Sequence, residues 1–320
     1  MREAASMREK TIWRISCVGL VGLGLAMASL QVAEAAEGGQ SPYLKGYRDG
    51  LTGLVPPQPG LYLRNDLVYY GGDMGGTVLN GRVEANLDVK SLADVISPTY
   101  VTSAKILGGT YAVNLAVALV YADVTARASA GPFSTERSDS EFNLGDTIFT
   151  PAILGWHDGN FHWNLTLSVY APTGKYDTDD LANVGKNYWS LMPQIGATYF
   201  DPATGWDISG ALIYVSNFEN SDTDYDTGDL LHLDMSVSKH FGAFSVGAVG
   251  YAMRQITDDS GSGAVLGGFR SHVYGLGPSF GYTFEVDKKP IMLLAKWYHE
   301  FDAENTTEGD TVTFAVTVPF

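Results

Sequence analysis

The chain has 320 residues, of which 45% are hydrophobic and 18% are charged, and its formal net charge is −16. The charged fraction lies below the roughly 25% of a typical soluble domain. The acidic balance argues against a nucleic-acid partner, which would require a basic surface.

The first 35 residues have the pattern of a secretory signal peptide. Arg8, Lys10 and Arg14 form a basic region before an apolar run from Ile15 to Leu30, and Ala33-Glu34-Ala35 fits a small-x-small cleavage site. The run is short for a membrane-spanning helix, which needs about 20 residues, so an uncleaved anchor is the weaker alternative. The single cysteine, Cys17, lies within this run and has no lipobox before it. A mature chain starting at residue 36 therefore contains no cysteine.

Residues 36–59 form the second predicted part of the chain. They are rich in glycine, proline and polar residues, and proline is excluded from sheet interiors. We expect a non-strand segment with one short helical turn near Pro42 to Leu51, which is either periplasmic or inserted into a barrel lumen. The candidates for plugging a lumen are Lys45, Arg48, Asp49, Pro56 and Pro57.

From residue 60 to residue 320 the pattern predicts an all-β domain, a transmembrane antiparallel β-barrel of about twelve strands. The expected strands are Leu61–Tyr70, Gly81–Leu107 with a break at Pro98, Tyr111–Thr125, Glu141–Trp156, 160–172, Tyr188–Phe200, Trp206–Asn217, Leu230–Phe241, Ala243–Gln255, Phe269–Glu285, Ile291–Phe301 and 311–320, with loops at Gly71–Asn80 and 126–140. An even strand number, and short turns alternating with long loops, are typical of bacterial outer-membrane barrels.

The strands alternate between apolar and polar residues, which means that each has one apolar and one polar face. In a soluble barrel the apolar set would point inward. Here the polar faces are short and lightly charged, and aromatic residues cluster at strand ends, so we predict that the apolar faces contact lipid. The predicted lumen-lining residues are Arg64, Asp66, His162, Asn164, Thr166, Ser168, Gln194, His232, Asp234, Ser236, Lys296 and Glu300. The predicted membrane-interface aromatics are Trp156, Phe161, Trp163, Trp189, Trp206 and Trp297.

The last ten residues alternate up to Phe320. This ending resembles the terminal strand of bacterial outer-membrane barrels, which the barrel assembly machinery recognises; an ordinary edge strand is the alternative. We therefore expect the assembly machinery and outer-membrane lipid as partners, and the cell outer membrane of a Gram-negative bacterium as the location.

Four short segments resemble a known family. They are Leu54-Val55-Pro56-Pro57-Gln58-Pro59-Gly60-Leu61-Tyr62, Val101-Thr102-Ser103-Ala104-Lys105-Ile106-Leu107-Gly108-Gly109, Pro151-Ala152-Ile153-Leu154-Gly155-Trp156-His157 and Val169-Tyr170-Ala171-Pro172-Thr173-Gly174-Lys175-Tyr176. In this order they resemble outer-membrane proteins of the phenol-degradation meta-pathway family, relatives of fatty-acid and toluene channels. Gln58 departs from a Pro-Pro-Pro-Gly-type run. The resemblance implies an aromatic solute and supplies no functional residues to carry over.

Three groups of polar residues suggest chemistry, each with a simpler interpretation. His232, Asp234 and Ser236 share one strand face, but alternate residues lie about 7 Å apart, too far for a catalytic hydrogen bond. His157 and His162 flank a turn and could bind a metal or anchor the membrane interface. The loop acids, which could bind calcium or be solvated, are Asp222, Asp224, Asp226 and Asp229. We expect no catalytic residues, no metal and no cofactor.

The leading functional hypothesis is an outer-membrane channel for passive uptake of small hydrophobic or aromatic molecules. The alternative is a non-transporting barrel, structural or binding a partner through its loops.

Overall fold

The computed structural model describes residues 40–78 and 83–320. The predicted signal peptide, residues 1–35, lies outside the described residues. The described strands, in chain order, are β1 (Gly60–Val78), β2 (Val83–Ile106), β3 (Gly109–Ala130), β4 (Phe133–Leu144), β5 (Thr147–Asp158), β6 (Phe161–Ala171), β7 (Ser190–Asp201), β8 (Trp206–Asn217), β9 (Leu230–Phe241), β10 (Phe244–Gln255), β11 (His272–Val286), β12 (Lys289–Glu304) and β13 (Glu308–Pro319).

The thirteen strands form a closed antiparallel barrel with twelve wall positions. Each strand pairs with its chain neighbours, except that β4 and β5 do not pair with each other, and β1 pairs with β13 to close the ring. Strands β4 and β5 both pair with β3, on residues 119–130 and 110–116 respectively, so they occupy one position in succession. The predicted fold class is confirmed. Closure satisfies the backbone groups of the wall, as a bilayer requires.

The two faces of the wall differ as the alternation predicts. In the β6–β7 pair, Leu165 lies opposite Ile195, and both side chains are exposed on the outside. Their neighbours Asn164 and Gln194 point inward and are buried. Apolar residues therefore cover the lipid-facing surface of an outer-membrane barrel.

Strands β1 and β3 are longer than the sequence predicted, and β4 occupies most of a predicted loop. Gly71–Asn80 and residues 126–140 were expected to be loops; residues 71–78, 126–130 and 133–140 are strand instead. The pattern misled because these stretches lie beyond the apolar belt, whose last row on the outer face is Tyr69, Leu92, Tyr121 and Phe142. Beyond this row the outer face carries polar residues such as Asp123 and Arg127, whereas Val124 and Ala126 on the inner face pack on Leu181 from the loop of residues 172–189. We call this part the four-stranded extension.

The interruption predicted at Pro98 lies elsewhere, and another predicted strand contains an interruption that was not expected. Strand β2 runs through Pro98, which pairs with Leu63, and the irregularity falls between Val101 and Lys105. Pro98 has no N–H to donate to β3, and the side-chain amide of Asn114 donates to the Pro98 carbonyl across this gap. The strand expected at Glu141–Trp156 is divided, since residues 145 and 146 separate β4 from β5.

The short helical turn expected near Pro42 to Leu51 was a wrong prediction. Residues 40–59 contain bends and turns, with Tyr47 N–H donating to the Leu44 carbonyl and Leu54 N–H to the Leu51 carbonyl. Within the described ranges, no helix is long and apolar enough to cross a membrane.

Candidate functional site

Residues 40–55 lie inside the barrel, and we call them the lumenal segment. Ser41 Oγ lies 2.9 Å from His232 Nε2, near the end of the barrel that carries the long loops. Val55 packs on Val101 near the end that carries the short turns. The segment therefore descends the length of the lumen before the chain enters the wall at β1.

Inward-facing side chains bind the backbone and the side chains of the lumenal segment. Asp234 Oδ2 accepts hydrogen bonds from Tyr43 OH at 2.5 Å and from the Arg48 N–H at 3.0 Å. The Leu51 N–H donates to Asp207 Oδ2 and to Ser209 Oγ, both at 3.0 Å. These contacts satisfy donors that would otherwise be buried without partners.

The half of the lumenal segment nearer the short turns is also held by hydrogen bonds to the wall. Gly53 N–H donates to Thr198 Oγ1 at 2.8 Å, and the Asn164 side-chain amide donates to the Thr52 carbonyl at 2.7 Å. A Cβ at Gly53 would lie 2.5 Å from the backbone N of Thr198, so only glycine allows this approach. The wall strands β6 and β7 thus fix the position of the segment.

Asp49 sits at the centre of a buried cluster of charges. Its carboxylate pairs with Arg64 at 2.9 Å and with Lys296 at 3.1 Å. Arg64 also pairs with Asp66 at 2.7 Å, and Lys296 Nζ donates to the Gly46 carbonyl at 2.7 Å. The cluster therefore ties the middle of the segment to β1 and β12.

A second buried charge cluster lies closer to the long loops. The carboxylate of Glu300 is fully buried and pairs with Lys45 of the segment. Tyr70 OH donates to Glu300 Oε2 at 3.0 Å, and Tyr251 OH donates to Glu300 Oε1 at 2.5 Å. Of the charges predicted on the inward faces of β1 and β12, Arg64, Lys296 and Glu300 are therefore paired with the segment, and Asp66 pairs with Arg64.

A cavity of about 380 Å³ lies on the other side of the segment. Its wall comes mainly from β2, β3, β5 and β6, where no anchoring charge reaches the segment. The apolar part of the lining is Ala93, Val95, Ala116, Ala118, Val120, Ile148, Ile153, Tyr170, Met192 and Ile213, with Tyr47, Leu51 and Leu54 from the segment. The segment therefore narrows the lumen to a space against one half of the wall.

The two ends of this cavity are closed by different elements. Towards the long loops, Asp146 accepts hydrogen bonds from the N–H groups of Gly174 at 2.7 Å and Lys186 at 2.6 Å, holding the loop of residues 172–189 over the cavity. Towards the short turns, Val55 fills the space beside Gly155, where a Cβ would lie 2.5 Å from Val55 Cγ2. A solute could pass through the barrel only if the loop of residues 172–189 and Val55 moved.

The remaining predicted residues are distributed over the lumen, the segment and the outer surface of the barrel. Ser168 Oγ lies 2.8 Å from Thr150 Oγ1, and Thr166 Oγ1 donates to Asn164 Oδ1 at 3.3 Å. Pro57 is exposed rather than buried in the lumen, and Pro56 is half-buried. The outer surface of the barrel exposes Phe161, Trp163, Trp189, Trp206, Trp297 and Phe320. Trp156 stacks on Trp163, and their ring centroids are 6.4 Å apart.

Several residues that hold the segment or the loop were not predicted from the sequence. Asp207, Thr198 and Ser209 bind the segment, and Asp146 binds the loop of residues 172–189. Strand parity could have identified Asp207, an acid on the inward face directly after Trp206. No local pattern signals Asp146, since its role depends on the break between β4 and β5.

The residues suggested for catalysis and metal binding serve other contacts. His232 and Asp234 bind the lumenal segment, and Ser236 Oγ has no hydrogen-bond partner among the described residues. His157 Nδ1 lies 2.8 Å from His162 Nδ1 at the short-turn rim. No group of three or more His, Cys, Asp or Glu side chains in the described ranges is placed to hold a metal ion.

The loop acids accept hydrogen bonds from neighbouring loops and from strand β8. Asp222 accepts a hydrogen bond from the Asn187 side-chain amide at 2.9 Å, and Asp229 accepts one from Tyr214 OH at 2.5 Å. Asp259, in the loop before β11, accepts one from the Gly228 N–H at 2.9 Å. Burial raises the pKa of the Asp259 carboxyl. The acids thus stabilise the long-loop end of the barrel.

Comparison with solved structures finds similar folds. The COG4313 outer membrane channel from Pseudomonas putida F1 aligns with a TM-score of 0.61 at 14% identity, covering 83% of this chain and 97% of that one. A Pseudomonas aeruginosa FadL homologue aligns with a TM-score of 0.39 at 8% identity, covering 90% and 97%. Among curated proteins, none matches this chain significantly.

The similarity to a known family extends beyond the four short sequence segments and covers most of the barrel. A family model matches residues 71–316, from β1 to β13. The chain belongs to the family described as "Putative MetA-pathway of phenol degradation".

Proposed function

We propose that this barrel is a passive outer-membrane channel for small hydrophobic molecules, and for single-ring aromatic compounds in particular. The observation that carries the proposal is the cavity between the lumenal segment and the β2–β6 half of the wall. The family description, which names phenol degradation, supports an aromatic solute.

The size of the cavity suits one substituted ring. Apolar cavities of about 150 Å³ hold benzene, and this one has a volume of about 380 Å³. A larger solute, such as a disaccharide, would have to displace the lumenal segment from the charge clusters that hold it.

The surface of the cavity also suits an apolar body. The polar side chains on the wall largely bind one another: Asn114 donates to Ser97 Oγ and Thr99 Oγ1, both at 2.9 Å, and Thr150 and Ser168 form a pair. An entering ring therefore meets alanine, valine and isoleucine side chains and few unsatisfied polar groups. The favourable free energy of binding comes from the burial of apolar surface, which contributes about 25 cal/mol per Å².

Uptake by whole cells tests the proposal. Toluene dissolves readily in phospholipid, so the assay needs an intact lipopolysaccharide-containing outer membrane as the barrier. The protein is expressed in a Gram-negative host without its major porins, and initial uptake of labelled toluene and of a labelled hydrophilic sugar is measured. We expect faster entry of toluene than in cells carrying the empty vector, with no change for the sugar. Entry of the sugar alone would indicate a general porin.

A second candidate is a non-transporting barrel that binds a partner at the cell surface. The four-stranded extension favours it, because Arg127 pairs with Asp88 and Glu136 on an exposed sheet face that projects beyond the apolar belt. Failure of both toluene and the sugar to enter faster than in control cells would favour this candidate.

A further inference from the structure

Four charged side chains line the cavity within the described ranges: Arg48, Asp49, Arg64 and Asp146. Three of these side chains either pair with a side chain of opposite charge or have their polar atoms satisfied by hydrogen bonds. Asp49 and Arg64 pair with each other within the central cluster, and the two carboxylate oxygens of Asp146 each accept a backbone N–H. Arg48 is the exception.

The Arg48 guanidinium has no acidic partner among the described residues. Its Nε donates to Gln194 Oε1 at 3.0 Å, and its Cζ lies 5.7 Å from the Tyr47 ring centroid. Asp234 receives the backbone N–H of Arg48 at 3.0 Å but forms no ion pair with its side chain. The Gln194 contact orients the planar guanidinium and leaves its two terminal Nη groups available.

We propose that this cavity binds small aromatic carboxylates, with the ring on the apolar wall and the carboxylate on the Arg48 guanidinium. The proposal rests on the proposed function, since it assigns a solute class to the same cavity. A guanidinium presents two parallel N–H donors that match a carboxylate, and such charged pairs are stronger than neutral hydrogen bonds.

The position of Arg48 favours an aromatic acid over a simple anion. Arg48 is the one cation in the lining that lacks a charged partner in the described part of the chain, and the opposite lining is apolar, from Val95, Ala116 and Ala118. A small inorganic anion would leave this apolar surface uncovered. A neutral ring would leave the Nη donors without an acceptor. A benzoate-like molecule covers the apolar lining with its ring and accepts hydrogen bonds from the Arg48 Nη groups with its carboxylate.

Binding measurements on the purified, folded full-length barrel test the proposal. Three probes are titrated by calorimetry: benzoate, its neutral analogue benzyl alcohol, and acetate, which has the carboxylate without the ring. We expect benzoate to bind more tightly than either other probe. Arg48→Gln should lower the affinity for benzoate about tenfold more than the affinity for benzyl alcohol, because charge-assisted hydrogen bonds are lost.

The matched control is Arg127→Gln, which makes the same charge change on the exposed extension, outside the cavity. It should leave the benzoate affinity at the wild-type value. Heat-modifiable migration in gels shows that each variant is a folded barrel.

Equal affinity for benzoate and benzyl alcohol, or an equal loss of both in Arg48→Gln, would overturn the carboxylate proposal and leave the aromatic channel standing. Absence of binding by both ring compounds would overturn the proposed function as well. Tighter binding of acetate than of benzoate would show a general anion site and contradict the role of the apolar wall.

Discussion

Deletion of residues 36–54 is expected to raise the single-channel conductance of the barrel by roughly tenfold or more, because a twelve-stranded barrel without an inner segment leaves an aqueous space. The lumenal segment occupies the half of the lumen facing β7 to β12, where it contacts Asp234, Lys296 and Glu300. After deletion these side chains face water, which solvates them without the segment. Val55 is retained, because it packs on Val101 within the wall.

Planar bilayer recording measures this conductance. A matched variant replaces residues 40–54 with a glycine-serine sequence of equal length, which keeps the chain in place but removes its anchoring side chains. We expect its conductance to fluctuate between the wild-type level and the level of the deletion. A deletion variant that folds and conducts no better than wild type would show that the segment does not limit the pore.

Substitution of Asp49 by leucine is expected to release the middle of the lumenal segment. Lys296 loses its one carboxylate partner in the described part of the chain and keeps carbonyl contacts with Gly46 and Tyr47 and a contact with the Tyr298 ring. Removing one partner of a buried ion pair costs about 3–5 kcal/mol. The measurement is trypsin digestion of the folded barrel, in which Lys45 and Arg48 are cleavage sites within the segment.

In the wild-type barrel these two sites should resist trypsin, and in Asp49→Leu they should be cut while the wall stays intact. The control Glu136→Leu breaks an exposed ion pair with Arg127 in the four-stranded extension, and it should leave the segment protected. Equal protection in all three proteins would mean that backbone hydrogen bonds alone hold the segment.

The wall of the barrel was predictable from the sequence because lipid on one side and the lumen on the other impose a period of two. Strands such as Trp206–Asn217 and Leu230–Phe241 have the predicted bounds. The prediction failed where that environment ends. Beyond Tyr69 and Phe142 the outer face is polar, and the buried inner face of β3 carries small residues such as Ala126 and Ala128. The alternation there has little apolar contrast, so these strands resemble loops in the sequence.

The site was less predictable, because it depends on contacts between residues distant along the chain. Parity placed Asp234 and Lys296 on the inward faces of their strands. It did not show that Asp49 would meet Arg64 and Lys296, which requires the path of the lumenal segment. Arg48 was expected to be part of a plug. Only the cavity beside it reveals that this cation has no charged partner within residues 40–78 and 83–320.

The most direct test of the central claim is toluene uptake by barrels whose cavity is filled. Ala116 lines the cavity, and Leu115, its neighbour in β3, points outward to lipid. Tryptophan at position 116 occupies the path of the solute, whereas tryptophan at position 115 adds an aromatic residue to the lipid-facing surface. In the porin-deficient host, we predict that Ala116→Trp reduces toluene uptake to the level of cells without the protein, while Leu115→Trp retains wild-type uptake. Wild-type uptake by a folded Ala116→Trp barrel would contradict passage through this cavity.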